Sequence, residues 1–396
     1  MSLAAPAGAA GTRRGVELAE VFRAHGEAYR QTQGLSGQQA KVMAAIEACR
    51  TAQLGGHREY CEACSFERFA YNSCRNRHCP KCQSLAKDEW LQQRRAELLP
   101  VPYFHLVLTL PHELNGLILA NQRLLLTLLF QAGAQTLLQF GRNRFAGKVG
   151  FTMILHTWDQ TLRPHFHLHC MIAGGALAPD PSRWIAGEPT FLFPVRALST
   201  VFRAKFLDGL RSLLRRHRLR SDEDLDRMLD ELRRKPWVVY AKKPFAGPGQ
   251  VLDYLGRYTH RVAISNDRIL DLSGGMVTFA YRDRAHGDVP RTMTLPAEEF
   301  IGRFLLHVLP RGFMRIRHFG FLANRSKAQA LARCRELLGV ETPQPSEPTS
   351  AAERILLLTG TDITRCPRCG HRPLTREELA PQRPGRAPQP PVFDSS

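Results

Sequence analysis

The sequence predicts an α+β fold: an antiparallel sheet flanked by helices, with a Cys/His metal-binding module ahead of it. Three observations carry that expectation. Period-two alternation marks strands at Tyr103–Pro111 (YFHLVLTLP) and at two segments within residues 149–173 joined by a turn. Apolar residues at helical spacing mark residues 17–50 and 201–234, and helices are expected from the first strand to about Phe145. Six of the ten cysteines fall within Cys49–Cys82. In a reducing compartment such a cluster points to metal ligands rather than disulfides.

Taken in order, residues 1–14 read as a disordered tail. Val16, Leu18, Val21 and Phe22, then Val42 and Ile46, supply the first helical faces. Gly150–Thr157 and Pro164–Ile172 read as a hairpin around Asp159–Arg163. Val201–Arg218 and Asp222–Arg234 read as charged helices, the second capped by Ser221 with Asp224 and ended by Pro236. Trp237–Lys242 reads as a strand and Gln250–His260 as a helix. Arg261–Asn266, Arg268–Leu272 and Met276–Arg282 read as short strands, and Val289–Leu295 pairs with the last. Residues 297–339 return to helix and basic segments. The domains follow: 15–100 helical and metal-binding, 101–335 a second domain with a helical insertion at 197–236, 336–352 a linker, and 353–396 a short CxxC element with a Pro-rich tail.

The 396 residues hold 55 Lys plus Arg, 46 of them Arg, against 36 Asp plus Glu, a net charge of +19. Such a balance points to an anionic partner, nucleic acid first and an acidic membrane surface second. An apolar fraction of 43% and a charged fraction of 23% exclude a wholly disordered or collagenous chain. The most apolar stretch, Leu117–Leu138, is interrupted by Asn121, Gln122, Arg123 and Gln131 and reads as a buried helix rather than a membrane span. The expected location is the cytoplasm, with no membrane partner.

Cys61-x2-Cys64 and Cys79-x2-Cys82 stand 14 residues apart. Each knuckle turns two thiolates toward one point, and two knuckles complete a tetrahedral structural Zn2+ site. A redox CxxC or bare buried thiols would not need two knuckles at this spacing. The interleaved Cys49, His57, Cys74 and His78 offer a second zinc set. Arg75, Arg77 and Lys81 lie in the same knot, where Arg forks suit DNA phosphates and guanine edges. Cys366-x2-Cys369 with His371 is a half-site whose remaining ligands would have to come from elsewhere, or a truncated ribbon.

Pro164–Met171 reads PHFHLHCM. In a strand His165, His167 and His169 point to one face, with Phe166, Leu168 and Cys170 on the other. Three imidazoles on one face repel when charged, so the strand is expected to hold a metal. His156, eleven residues before His167, falls opposite it in a hairpin centred near Thr161 and is the candidate third ligand. Tyr254 and Tyr258 stand i and i+4 on one face of the expected helix, among Lys242, Lys243, Arg257, His260 and Arg261. A phenol with a pKa near 10 is a weak nucleophile at neutral pH. A divalent ion on the histidines would polarise a phosphate and stabilise the leaving oxygen. Together they suit attack on a DNA phosphodiester, giving a 5′-phosphotyrosine and a free 3′-OH.

These stretches resemble a known family. CRTAQLGGH (Cys49–His57), YNSCRNRHCPKCQ (Tyr71–Gln83), YFHLVLTLPHEL (Tyr103–Leu114), ILHTWDQTL (Ile154–Leu162), HFHLHCMIAGGAL (His165–Leu177), YLGRYTHRVAISNDRI (Tyr254–Ile269) and GFMRIRHFGFLANR (Gly312–Arg325) resemble the two-tyrosine rolling-circle insertion-sequence transposases of the HUH nuclease superfamily, which carry an N-terminal zinc-binding domain. The resemblance implies an HUH nuclease core over residues 101–335, with His167-Leu168-His169 as the paired histidines and Tyr254 and Tyr258 as nucleophiles. It implies Mg2+ or Mn2+ at the histidines, single-stranded and hairpin DNA ends of a mobile element as substrate, and association with the bacterial nucleoid when bound. Where the family pattern has His-Pro before the pair, this chain has His165-Phe166. The basic run Arg311, Arg315, Arg317, His318 and Arg325 is expected to track the strand, beside Lys242, Lys243, Arg257 and Arg261. Two other classes compete. A zinc-dependent DNA-binding protein without catalysis would leave the tyrosine pair without a task. An HxH hydrolase of small molecules would need carboxylate ligands and fits poorly with +19.

Overall fold

The computed structural model describes residues 15–216, 219, 225–242, 245, 250–251, 256, 263–283, 286–342 and 350–382. A six-stranded antiparallel sheet forms the centre. Its strands are β3 (Tyr103–Thr109), β4 (Lys148–Trp158), β5 (Pro164–Leu177), β6 (Trp184–Ala186), β7 (Val239–Lys242) and β11 (Ile316–Gly320), ordered β11-β4-β5-β3-β7 with β6 paired to the end of β5. The expected hairpin is present: β4 and β5 pair antiparallel, with His156 opposite His167.

Alternation along each strand divides this sheet into two faces. Phe104, Leu106 and Leu108 of β3, Phe151, Met153 and Leu155 of β4, and Phe166, Leu168 and Cys170 of β5 join one core. Over that face lie α5 (Gln122–Phe145) and α6 (Val195–Arg215), with α7 (Leu225–Arg234) beyond. By length and composition α5 could cross a membrane, but Leu125, Leu126, Leu129, Phe130 and Leu137 bury it against the sheet. It lies close because Gly133 faces the strands. A Cβ there would come within 2.9 Å of the Met153 side chain and 3.0 Å of Leu108. The other face carries Val107 and Thr109 of β3, His156 of β4, and His167 and His169 of β5.

The module ahead of the sheet holds α1 (Leu18–Thr32), α2 (Gly37–Glu47), the ribbon β1 (Gly56–Tyr60) and β2 (Glu67–Tyr71), and α3 (Gln83–Arg95). Ser36 and Gln39 form a capping box that starts α2. The short α4 (Asn115–Ala120) leads from β3 into α5. Beyond β7, β8 (Ile269–Ser273), β9 (Met276–Asp283) and β10 (Val289–Pro296) form a second antiparallel sheet, backed by α8 (Ala297–Leu305). Val21, Phe22, Met43 and Ile46 of the first two helices share a core with Val277, Phe279, Phe300 and Phe304. The expected boundary near residue 100 therefore does not separate two cores.

Three expectations need correction. Among its described residues, Arg261–Asn266 is not a strand: Ala263 and Ile264 are a buried bend and Asn266 opens a 3-10 turn. Ile316–Gly320, expected as part of a basic run, is the edge strand β11, in register with Gly150–Ile154. The residues after the linker, expected as a separate element, fold back on the N-terminal module. After α9 (Lys327–Leu337) and α10 (Ala351–Thr359), β12 (Thr375–Leu379) pairs antiparallel with β1. The Ser221–Asp224 cap and most of the expected helix 250–260 lie outside the described residues.

Candidate functional site

The imidazoles of His156, His167 and His169 converge on the open face of the central sheet, with one nitrogen of each within 4.8 Å of the others. Strand pairing dictates this, since His167 and His169 share a face at i and i+2 and the register sets His156 across from His167. All three are buried. His167 Nδ1 lies 2.9 Å from the His165 carbonyl. A carbonyl only accepts, so Nδ1 carries the hydrogen and Nε2 keeps its lone pair. That Nε2 faces His169 Nε2 at 3.2 Å, while His169 Nδ1 meets His105 Nε2 at 3.0 Å. Two imidazole nitrogens held so close suit a shared cation, and nitrogen donors suit a first-row divalent ion.

The surroundings hold these rings in place. Trp158 stacks on His156, with ring centroids 4.9 Å apart. His105 stacks on His169, and burial followed by the Lys242 charge lowers it to about 3, so it is neutral. The hairpin tip is tightly bound. Asp159 Oδ1 accepts from the backbone N–H groups of Thr161 at 2.8 Å and Arg163 at 2.9 Å. Arg268 and Arg303 donate to the carbonyls of Gln160 and Thr161, and the His307 ring binds that of Leu162. Leu162 itself is buried in the core shared by the N-terminal helices and the second sheet. The imidazoles open into a cleft of about 430 Å3, walled also by Tyr240, Tyr281, Arg282 and Asp283. The sequence reading missed His105, although its place in the expected strand Tyr103–Pro111, two residues before Val107, was the available signal. Tyr254 and Tyr258 lie outside the described residues.

The cysteines assemble differently from the expectation. One cluster joins Cys49, Cys74, Cys79 and Cys82, and the other joins Cys61, Cys64, Cys366 and Cys369. The two knuckles Cys61–Cys64 and Cys79–Cys82 do not meet, and neither His57 nor His78 belongs to a cluster. The cause is the β1–β2 ribbon. Cys61 and Cys64 occupy its turn, whereas Cys49 and Cys74 flank its open end, so strands of five residues, about 16 Å long at ~3.3 Å per residue, stand between the pairs. His57 instead contacts Glu59 at 3.2 Å. His78 is buried, its Nε2 has no hydrogen-bond partner among the described residues, and burial followed by the charges of Arg77 and Arg315 lowers it to about 3. In the first cluster, hydrogen bonds from Cys74 and then Cys79 pull the Cys49 thiol below its ordinary value.

The basic candidates divide into two groups. Arg75, Lys242 and Arg325 are exposed. Arg77 donates to the carbonyls of Phe313 at 2.5 Å and Pro310 at 3.2 Å, and Lys81 pairs with Glu17 at 2.6 Å. Arg317 stacks over Phe130, 4.2 Å from the ring centre, and over Phe313. Arg315 is half-buried, and burial with the neighbouring Arg77 lowers its guanidinium to about 10. The run from Arg311 to Arg325 is thus not one continuous basic face. Lys243, Arg257 and Arg261 lie outside the described residues.

The cysteine module thus packs beside an antiparallel sheet that carries three imidazoles over an open cleft. The chain belongs to the IS91-type family of insertion-sequence transposases. Residues 21–110 match the family described as "Transposase zinc-binding domain" and residues 150–330 the family described as "Putative transposase". The chain is 50% identical over 372 residues to "Putative transposase y4qJ" of Sinorhizobium fredii, covering 90% of this chain and 94% of that one. It is 28% identical over 354 residues to "Transposase for insertion sequence element IS801" of Pseudomonas savastanoi pv. phaseolicola, covering 86% and 83%. A solved structure, "Conjugative Relaxase TrwC in complex with mutant OriT Dna", aligns with 60% of this chain and 75% of that one at 15% identity and a TM-score of 0.24, a score at which the likeness says nothing of the fold.

Proposed function

We propose that this transposase cleaves and rejoins single-stranded DNA at the ends of an insertion sequence, using Tyr254 and Tyr258 as nucleophiles and His156, His167 and His169 as ligands of Mg2+ or Mn2+. The convergence of three buried imidazoles on an open cleft is the observation that carries the reading. A bound divalent ion would polarise the scissile phosphate and stabilise the departing oxygen. The tyrosine oxygen attacks phosphorus, the bond to the 3′ oxygen breaks, and that oxygen leaves as a free 3′-OH. The new 5′-phosphotyrosine bond preserves a reactive phosphate, so a later 3′-OH can reverse the step and join strands. His105 and the His165 carbonyl orient the imidazoles, and Trp158 limits rotation of His156. One Zn2+ at Cys49, Cys74, Cys79 and Cys82 would fix the N-terminal module, and Arg75, Lys242 and Arg325 would engage phosphates.

The test is incubation of a labelled single-stranded element end with Mn2+, read on a denaturing protein gel. Wild type yields a covalent protein–DNA band. His167→Ala and the double variant Tyr254→Phe/Tyr258→Phe lose it, and the single tyrosine variants show which ring reacts first. DNA binding without an adduct on any hairpin-bearing substrate would sink the catalytic reading and leave a DNA-binding relative.

A further inference from the structure

Two pairs of cysteines some 300 residues apart in sequence meet at the turn of the β1–β2 ribbon. Cys61 Sγ lies 3.5 Å from Cys369 Sγ, and Cys64 Sγ lies 3.6 Å from Cys366 Sγ. A disulfide would bring sulfurs to about 2.05 Å. Thiolates at the corners of a tetrahedron around zinc, at ~2.3 Å from the ion, stand about 3.8 Å apart. The observed spacing is that of the second arrangement.

The two knuckles are also built alike. In one, Ser65 N donates to Cys61 O at 2.9 Å and Cys61 N to Phe66 O at 2.8 Å. In the other, Gly370 N donates to Cys366 O at 2.9 Å and Cys366 N to His371 O at 3.0 Å. The fifth residue is left-handed in both, with φ of 54° at Ser65 and 76° at Gly370. The same turn thus aims both thiol pairs from opposite sides. Register is fixed by charge across the strands: Arg58 pairs with Glu377 at 3.4 Å, and Glu59 with Arg376 at 2.7 Å.

We propose that Cys61, Cys64, Cys366 and Cys369 bind a structural zinc ion of their own, which clasps the C-terminal segment onto the N-terminal ribbon. An all-thiolate set selects zinc over the hard divalent ions expected at the imidazoles. This ion is the more accessible of the two. Each cluster buries two of its cysteines, Cys61 and Cys366 in one and Cys49 and Cys79 in the other, but Cys369 is exposed whereas Cys74 and Cys82 are half-buried against a hydrophobic core. The tip ion therefore leaves first.

The experiment is elemental analysis of the purified full-length chain, with the rate of zinc release to an excess of chelator. Wild type holds two zinc ions per chain and releases them in two phases of equal size. Cys366→Ser/Cys369→Ser, and the milder Cys369→Ser alone, hold one ion and lack the fast phase. One ion per chain in wild type, retained unchanged in the double variant, would overturn the proposal. Two ions retained in the double variant would overturn it too, as would an intact mass under non-reducing conditions showing disulfides among these four residues.

Discussion

His105 touches no expected substrate atom, yet its Nε2 meets His169 Nδ1 at 3.0 Å, which fixes the other His169 nitrogen toward the imidazole cluster. Partners of this kind are worth roughly 10–100-fold in metal affinity. His105→Ala should weaken Mn2+ binding by about that factor in calorimetric titration while leaving the zinc content unchanged. Tyr240 is 53% exposed on the edge strand beside the imidazoles, and a stacked base would cover it. Tyr240→Ala should lower affinity for single-stranded DNA by about 1–3 kcal/mol in a fluorescence titration. Glu59 has its own pH signature. Burial raises its carboxyl, but the flanking Arg376 and Arg68 outweigh it and hold the group below its ordinary 4.5. Stability from this group is complete above that value and is lost as pH falls through the lower folded one. Thermal melts should show the wild type losing stability relative to Glu59→Gln only below about pH 4.5.

At the scale of elements, β11 depends on one glycine. Gly320 has φ of 68°, and a Cβ there would stand 1.6 Å from the Val149 carbonyl oxygen, a backbone atom that cannot move aside. Gly320→Ala should therefore lose at least about 2 kcal/mol in denaturant unfolding, because strain in that region alone costs 1–3 kcal/mol. The strands at the heart of the sheet were legible because their two faces differ chemically. Phe166, Leu168 and Cys170 alternate with His165, His167 and His169, and the turn before them is built by Asp159, so hairpin and opposing His156 follow from sequence alone. β11 was not legible because Arg317 and His318 mask its alternation. The Arg317 guanidinium lies over the rings of Phe130 and Phe313, and His318 binds Thr152 at 2.8 Å. The cysteine pairing was misread for a topological reason. Nearness in sequence joined knuckles that a rigid ribbon holds apart, and only pairing with β12 reveals the proper partner.

At the scale of the molecule, a +19 chain engages DNA through cations that are not already occupied. Arg77, Lys81 and Arg317 are committed to internal partners, so the charge available to phosphates is smaller than composition suggests. The logarithm of affinity for single-stranded DNA should fall linearly with the logarithm of salt concentration, with a slope of about −0.7 per phosphate neutralised. Arg325→Ala should make that slope shallower by roughly one contact, and Arg317→Ala should leave the slope unchanged while lowering stability. The shared core of α1, α2, α8 and the second sheet joins the metal module to the hairpin tip that carries the imidazoles, through Leu162. Zinc removal should then loosen the distant hairpin, seen as faster amide exchange at residues 159–163.

The pairing of β12 with β1 also bears on how the chain is made. The ribbon leaves the ribosome early, but the strand that completes its sheet is translated some 300 residues later. At 5–20 residues per second that is a wait of roughly 15–60 seconds, during which one edge of β1 stays unpaired. A polypeptide cut short by a premature stop or a frameshift never closes this edge. The sheet begun at Gly56 is thus finished only in chains in which Thr375–Leu379 has been made.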